Sequence, residues 1–452
     1  MPFCRTLVAR ATLLLAASLT AQPAIARCVD EDRVEPAAAA GSEAAAVPAD
    51  PRMTLQAMVR EALQRSHAIG ASKMLAEAAE FEIEEARAGK AMQAGLSAGA
   101  GPGGTRQNGL NENSALQLRA SVTVSQLLYD GGRTDRLTDW RTQIAESARL
   151  GNLSAREQLA LSTVALAFER SRLRQHVMIY GQYVRKMGCL DEALDTIVRA
   201  DRGRTSELVQ ARKSLQQAEL QQAQSQSQAR QVDVRLRRLV GDGLPSVEGL
   251  SSVLLQVADL QQLVADVELS NEVAQLSAQA AAADNYAQAV VAGGKPQLSW
   301  AVIGGARAGT GGNLGRTSGA DYSVGVSINV PLLSPGLAPA SSAASKRAQA
   351  AHAQRAEALE SRRFRVAEVH EQTLASFDRL RRAGALLRDT DQLRNFTLQQ
   401  WQQLGRRSLF DVMATEGEHY NLRISYVNAL YDGQQLNALL LSLGRGVNEW
   451  LR

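Results

Sequence analysis

Leu55, Val59, Gly89 and Lys90 recur 205 positions later as Leu260, Val264, Gly294 and Lys295. Past the next loop the interval becomes 204: Val122, Val124, Leu128 and Gly132 return as Val326, Ile328, Leu332 and Gly336. One residue of loop length accounts for the change. A unit of roughly 200 residues is far longer than a solenoid repeat. The chain is therefore expected to be two pseudo-symmetric halves, each running helix, strand, Gly-rich loop, strand, very long helix, turn and returning helix.

In the second strand of the first half, Leu116, Leu118, Ala120, Val122 and Val124 alternate with Gln117, Arg119, Ser121, Thr123 and Ser125. Its counterpart sets Tyr322, Val324, Val326, Ile328 and Val330 against Ser323, Gly325, Ser327 and Asn329. The interval of 204 is even, so the apolar face is the same in both halves. Leu298, Trp300 and Val302 continue the pattern, whereas Gln93 to Gly101 is so rich in Ala and Gly that its phase is not readable. One apolar and one polar face suit a bilayer barrel with a wet lumen, and equally an ordinary half-buried sheet.

The long helices favour the barrel. Arg133 to Arg199 contains no proline, and Ala338 to Gln403 contains only Pro339, in its first turn where proline is tolerated. At 1.5 Å per residue each would reach ~100 Å. Helices of that length need coiled-coil packing or a tube rather than a compact core. An aromatic content of 4% points to thin helix–helix seams.

The amino terminus fixes the compartment. Arg5 and Arg10 precede the apolar run Ala11 to Ala21, and Ala24-Ile25-Ala26 forms an A-x-A cleavage site. The run is too short to span a bilayer, so export with cleavage before Arg27 is expected. Cys28 raises lipidation as an alternative, against which Arg27 stands where a small residue should precede it. Once Cys4 is removed, Cys28 and Cys189 are too few for a disulfide framework.

Fifty basic residues face 46 acidic ones, and loss of Arg5 and Arg10 takes the formal charge from +4 to +2. A dense basic patch for nucleic acid is absent. No catalytic constellation emerges either. His67, His176, His352, His370 and His419 are scattered and read as helix-surface residues, with no metal or cofactor spacing. Gly99, Gly101 and Gly104 spell G-x-G-x-x-G, but loop residues follow where a helix should begin. The expected boundaries are a signal peptide (1–26), a flexible leader (27–53), a first repeat (54–250) and a second (251–446), with a C-terminal tail (447–452). The strands are expected near 93–101, 115–126, 297–305 and 322–331, the hairpin tips near 203 and 405, and Thr54 is the expected first cap.

VSQLLYDGGRTDRL (Val124 to Leu137) and VPLLSPGLAPA (Val330 to Ala340) resemble the two strand-to-helix signatures of the TolC family of outer-membrane efflux and secretion channels. GRTSELVQAR from Gly203 and GRRSLFDVMATEGEHYNLRISYVNALYD from Gly405 resemble that family's helical turnarounds. Leu127 stands where the first signature usually has proline, and Pro335 replaces a glycine in the second. Asp130, Gly131 and Gly132 form the first elbow and Pro335-Gly336 the second, read as a type II turn. Gly203 and Gly405 read as helix C′ caps, and Ser408 with Asp411 as a capping box.

The resemblance implies a mainly α fold with four strands per chain, contributing to a homotrimeric 12-stranded barrel on an α-helical periplasmic tube. It implies outer-membrane lipid, a periplasmic adaptor and an inner-membrane ABC transporter or other pump as partners, and no cofactor. It makes Gly203, Arg204, Ser206, Gly405, Arg406 and Ser408 the adaptor-docking tips, the bland alternative being solvated caps. It places Asp411, one turn from Arg407, where members close the periplasmic entrance with a ring of carboxylates. Ala414 stands where many add a second acid, so a weaker constriction is implied, and Asp411 could instead be a helix cap alone. The segment from Leu404 to Gly444 most resembles members serving type I secretion of large adhesins, with small-molecule efflux as the alternative. The rival outside the family is a periplasmic coiled-coil adaptor, which has one helical hairpin where this chain has two.

Overall fold

The computed structural model describes residues 50–103, 106–107, 110–111, 115–245, 249–310, 316–404 and 407–452. The signal sequence, Cys28, nearly all of the leader, Gly405 and Arg406 lie outside them. Asp50 opens the fold: its carboxylate accepts the N–H of Arg52 at 3.0 Å, and Pro51 takes the first helical position, where no N–H is needed. Helix α1 (Pro51–Arg65) thus starts before Thr54, whose N–H is already spent on the Asp50 carbonyl. Ser66 closes α1 and caps α2 (His67–Ala88), its hydroxyl accepting the Ile69 N–H.

Strands β1 (Gln93–Gly103) and β2 (Ala115–Tyr129) then lead into α3 (Arg133–Ala200), a 68-residue helix, and through a 3-10 turn into α4 (Thr205–Val240). The second half repeats the order with α5 (Leu260–Asp266), α6 (Asn271–Ala292), β3 (Gln297–Thr310), β4 (Arg316–Asn329), α7 (Leu337–Leu404, again 68 residues) and α8 (Leu409–Leu443). Helices α3 and α7 are offset by the same 204 positions at both ends. Among the described residues, no helix is long and apolar enough to cross a membrane.

The hairpins extend beyond the alternating segments because backbone pairing needs no apolar side chain: Gly103 still pairs with Ala115 and Thr310 with Arg316. Strand β4 stops at Asn329, short of Pro331, which has no N–H to give. The last residues are no loose tail. They form α9 (Val447–Leu451), which buries Val447 and Leu451 one turn apart, and Glu157 on α3 accepts the N–H groups of Val447 and Asn448.

The sheet order is β1-β2-β3-β4, antiparallel throughout. Side chains directly opposite share a face, so the register sorts them. Leu96, Val122, Gly304 and Tyr322 form one row of the apolar face, and Ala94, Val124, Val302 and Val324 the next. This settles the phase of β1. On the other face Ser97 meets Ser121 at 2.7 Å and Ser299 meets Ser327 at 2.8 Å. An extra residue, Leu128, bulges β2 as it approaches the helix.

Among the described residues the helices bury three apolar clusters in succession along their length rather than one centre. The largest joins α1, α3, α4, α8 and α9 around Leu55, Phe168, Leu236 and Tyr431. A second lies at the hairpin ends (Met187, Leu190, Leu194, Leu208, Leu409, Val412) and a third holds α5 to α7 and α8 (Leu263, Val366, Val369, Leu440). Each fully buried Leu or Phe contributes ~1.5–3 kcal/mol.

Candidate functional site

The sequence's candidate sites fall in two regions: the elbows where strands become helices, and the hairpin ends at the far side of the long helices. At the first elbow Gly131 (φ +71°) and Gly132 (φ +88°) occupy the left-handed region. The Asp130 carboxylate accepts the N–H of Gly132 at 3.1 Å and of Thr134 at 2.6 Å, tying the turn to the first turn of α3. Lys295, from the other half, lies across the turn and donates to the Gly131 carbonyl at 3.1 Å. Its repeat equivalent Lys90 pairs with Asp135 at 2.6 Å.

Burial would raise the Asp130 pKa, but hydrogen bonds from Thr134 and Gly132 and the charge of Lys90 outweigh it and hold the carboxyl below its usual range. The ionised form is therefore favoured by folding. Its contribution is complete above the usual carboxylate pKa and is lost as pH falls through the depressed folded value. Asp130→Ala should cost about 1 kcal/mol at neutral pH and show a shallower acid-induced fall in melting temperature than the parent. Parallel acid profiles would remove this role.

The second elbow is built differently. Gly336 lies outside the positive-φ region, so Pro335-Gly336 is not a type II turn. Leu337 donates to the Ser334 carbonyl at 3.0 Å, which fits a type I turn with proline in its favoured position. Leu337 then covers Gly294, where a Cβ would lie 2.3 Å from Leu337 Cδ2.

At the first hairpin end α3 stops at Ala200, and the Asp201 carboxylate accepts the Gly203 N–H at 3.0 Å. Gly203 therefore sits inside the 3-10 turn Arg202–Arg204 without a positive φ, not as a C′ cap. An aspartate that can bond its own backbone two residues on supplies the turn that the glycine was expected to make. Gly203 and Ser206 are exposed and Arg204 half-buried.

At the second end Ser408 Oγ accepts the Asp411 N–H and Asp411 Oδ2 accepts the Ser408 N–H, both at 3.3 Å, which is a complete capping box. Arg407 Nη1 lies 3.9 Å from Asp411 Oδ2, and both side chains are about half exposed. Such a pair contributes about 0–1 kcal/mol. Leu409, Val412 and Met413 turn into the core, leaving Asp411 on the opposite side of α8.

Residues 58–242 match the family described as outer membrane efflux protein. No curated protein matches the sequence. Among solved structures, the outer membrane protein VceC of Vibrio cholerae is similar at 19% identity, with a TM-score of 0.73 over 87% of this chain and 96% of that one. A membrane protein from Pseudomonas aeruginosa gives 16%, 0.75, 86% and 93%. The open-state MtrE outer membrane channel of Neisseria gonorrhoeae gives 16%, 0.70, 87% and 89%. The fold is that of the outer-membrane efflux channels.

Within this channel fold, sequence reading missed an ionic cluster behind the tips. Glu416 on α8 is fully buried and faces Lys186 of α3 at 3.7 Å and Arg394 of α7 at 3.5 Å, so one carboxylate links both hairpins. Beside it, burial first and then the Glu416 charge hold the Tyr183 phenol above its usual pKa. Tyr183 in turn packs on Tyr420 with ring centroids 4.8 Å apart. Nor are all histidines on the surface. His419 is buried edge-on to Tyr420, and burial and then Arg172 depress the pKa of His176, whereas His352 pairs outside with Asp284. Among the described residues no group of three or more His, Cys, Asp or Glu could hold a metal.

Proposed function

We propose that three copies of this chain form an outer-membrane channel, with the sheet in lipid and the long helices crossing the periplasm of a Gram-negative cell. One observation carries the reading. A four-stranded sheet with two open edges and an exposed apolar face (Tyr322 90%, Val324 74%, Ile328 70%) stands on two helices of 68 residues. Lipid tolerates no open sheet edge. Three chains close twelve strands, whereas two would close eight, a barrel whose interior side chains nearly fill. Helices of this length reach about 100 Å. Apolar groups left exposed on α7 (Phe364, Leu386, Leu393, Phe396) and on α4 (Val209, Leu220, Val234) are surfaces for a neighbouring copy.

On this reading the tips, with Gly203, Arg204, Ser206, Gly405, Arg406 and Ser408, dock a periplasmic adaptor bound to an inner-membrane ABC transporter or other pump. Asp411 and its pair Arg407 form the gate. Type I export of a large protein is the favoured cargo, supported by the resemblance of the segment from Leu404 to Gly444. Detergent-extracted protein should behave as a trimer and give discrete conductance steps in planar bilayers. Asp411→Ala and Arg407→Ala should raise the conductance, and Asp411→Ala should weaken block by multivalent cations. Absence of any conductance would sink the channel. Unchanged conductance with a lowered melting temperature would reduce Asp411 to a helix cap.

A further inference from the structure

One row of the sheet's polar face differs from its neighbours. The register sets Gly99, Arg119, Arg307 and Gly319 side by side across all four strands. The adjoining rows are Gly101-Gln117-Gly309-Thr317 and Ser97-Ser121-Gly305-Asp321. Arg119 and Arg307 are thus direct cross-strand partners, an arrangement of like charges that a sheet ordinarily disfavours.

Both side chains are exposed. Arg119 donates to Gln117 Oε1 at 2.8 Å rather than to a carboxylate. Arg307 lies over Gly319, where a Cβ would come within 3.3 Å of its Nε. Asp321, one row away opposite Gly305, is the one acidic residue of the described strands, and neither arginine forms an ion pair with it or with any other described residue. Glycines flank the pair on both sides of the row, so no other side chain of that row stands beside the two arginines.

We propose that this row is an oxyanion-binding belt in the lumen, taking phosphate or carboxylate groups; the proposal rests on the barrel reading, which turns the polar face inward. Closing three copies brings six guanidiniums, against three Asp321 carboxylates, around one level of the pore. A low-dielectric lipid wall focuses that field onto the pore axis, and arginine rings are a known physical means of admitting anions. A guanidinium fork matches two oxygens of a phosphate or carboxylate. An anion shared by Arg119 and Arg307 also relieves their mutual repulsion.

The full-length protein in planar bilayers under a KCl gradient, with inorganic pyrophosphate as probe, tests this. The parent channel should show a saturable fall in current with pyrophosphate. The Arg119→Gln/Arg307→Gln double variant should need about tenfold more for the same block, and its reversal potential should move toward that of potassium. Arg119→Lys/Arg307→Lys should keep the parent reversal potential. Each single Gln variant should give an intermediate block, which keeps the test readable if the double variant does not insert. Gln variants that conduct with the parent's block and reversal potential overturn the belt. A parent chain that forms no channel overturns the barrel reading instead.

Discussion

Glu416→Ala is expected to cost about 3–5 kcal/mol of stability, because it removes the buried carboxylate that faces both Lys186 and Arg394. Lys186 is 6% exposed and Arg394 10% at the side chain. Arg394 also pairs with Asp391, at 3.0 Å and half exposed, and Lys186 faces the Glu416 carboxylate at 3.7 Å. Lys186→Met in the Glu416→Ala background should restore part of the loss, since it removes a buried charge that faced the missing carboxylate. Glu416→Leu with Lys186→Met should be milder than Glu416→Ala alone, since an apolar pair of similar volume carries no buried charge. Thermal unfolding in detergent is the measurement. A Glu416→Ala protein within about 1 kcal/mol of the parent would mean that water reaches the cluster and that it does not lock the two hairpins.

Gly131→Val should be of similar size, about 3 kcal/mol, from two sources. A residue other than glycine at φ +71° pays about 1–2 kcal/mol, and a β-branched one more. The new Cβ would also lie 2.5 Å from Lys295 Cβ, a part of that side chain fixed to its backbone. Gly132→Ala should be milder, since at φ +88° it meets nothing within 4 Å and carries only the backbone term. Gly336→Ala, with ordinary φ and open surroundings, should be neutral or slightly stabilising. The ordering of the three melting temperatures checks the account. Equal losses at Gly131 and Gly336 would show that the two elbows are equivalent after all.

The difference between those elbows marks where sequence reading runs out. Punctuation by glycine and proline together with an even repeat interval located both long helices and the faces of β2, β3 and β4, because those properties follow from chain-local rules. The face of β1 was invisible, since Ala and Gly do not announce a side; only its pairing with Val122 and Val124 assigns it. Gly203 misleads because a glycine after a helix looks like a cap, whereas Asp201 makes the turn with its own side chain. Pro335-Gly336 has the composition of a type II turn, but the closing bond to Ser334 is satisfied without a positive φ. Glu416 lies within a polar-looking EGEHYN stretch, and nothing local tells that Lys186 and Arg394 converge on it from two other helices. Burial of a charge is decided by tertiary partners, so it cannot be read from one helix alone. The capping box at Ser408 was legible for the opposite reason, both partners being three residues apart.

The equality of the two long helices has a consequence for any partner that meets the far end of the molecule. With α3 and α7 each 68 residues long and each followed within five residues by its returning helix, a protomer presents two staves of matched length. A threefold ring of such chains is then close to sixfold at its rim. The two turnaround sequences share Gly-Arg and, two residues on, a serine, but differ at Thr205 against Arg407 and at Glu207 against Leu409. A partner seated on that rim can use six near-equivalent positions, or three if it reads the difference. On the proposed docking role, the stoichiometry would be set by how finely the partner distinguishes Thr205 and Glu207 from Arg407 and Leu409.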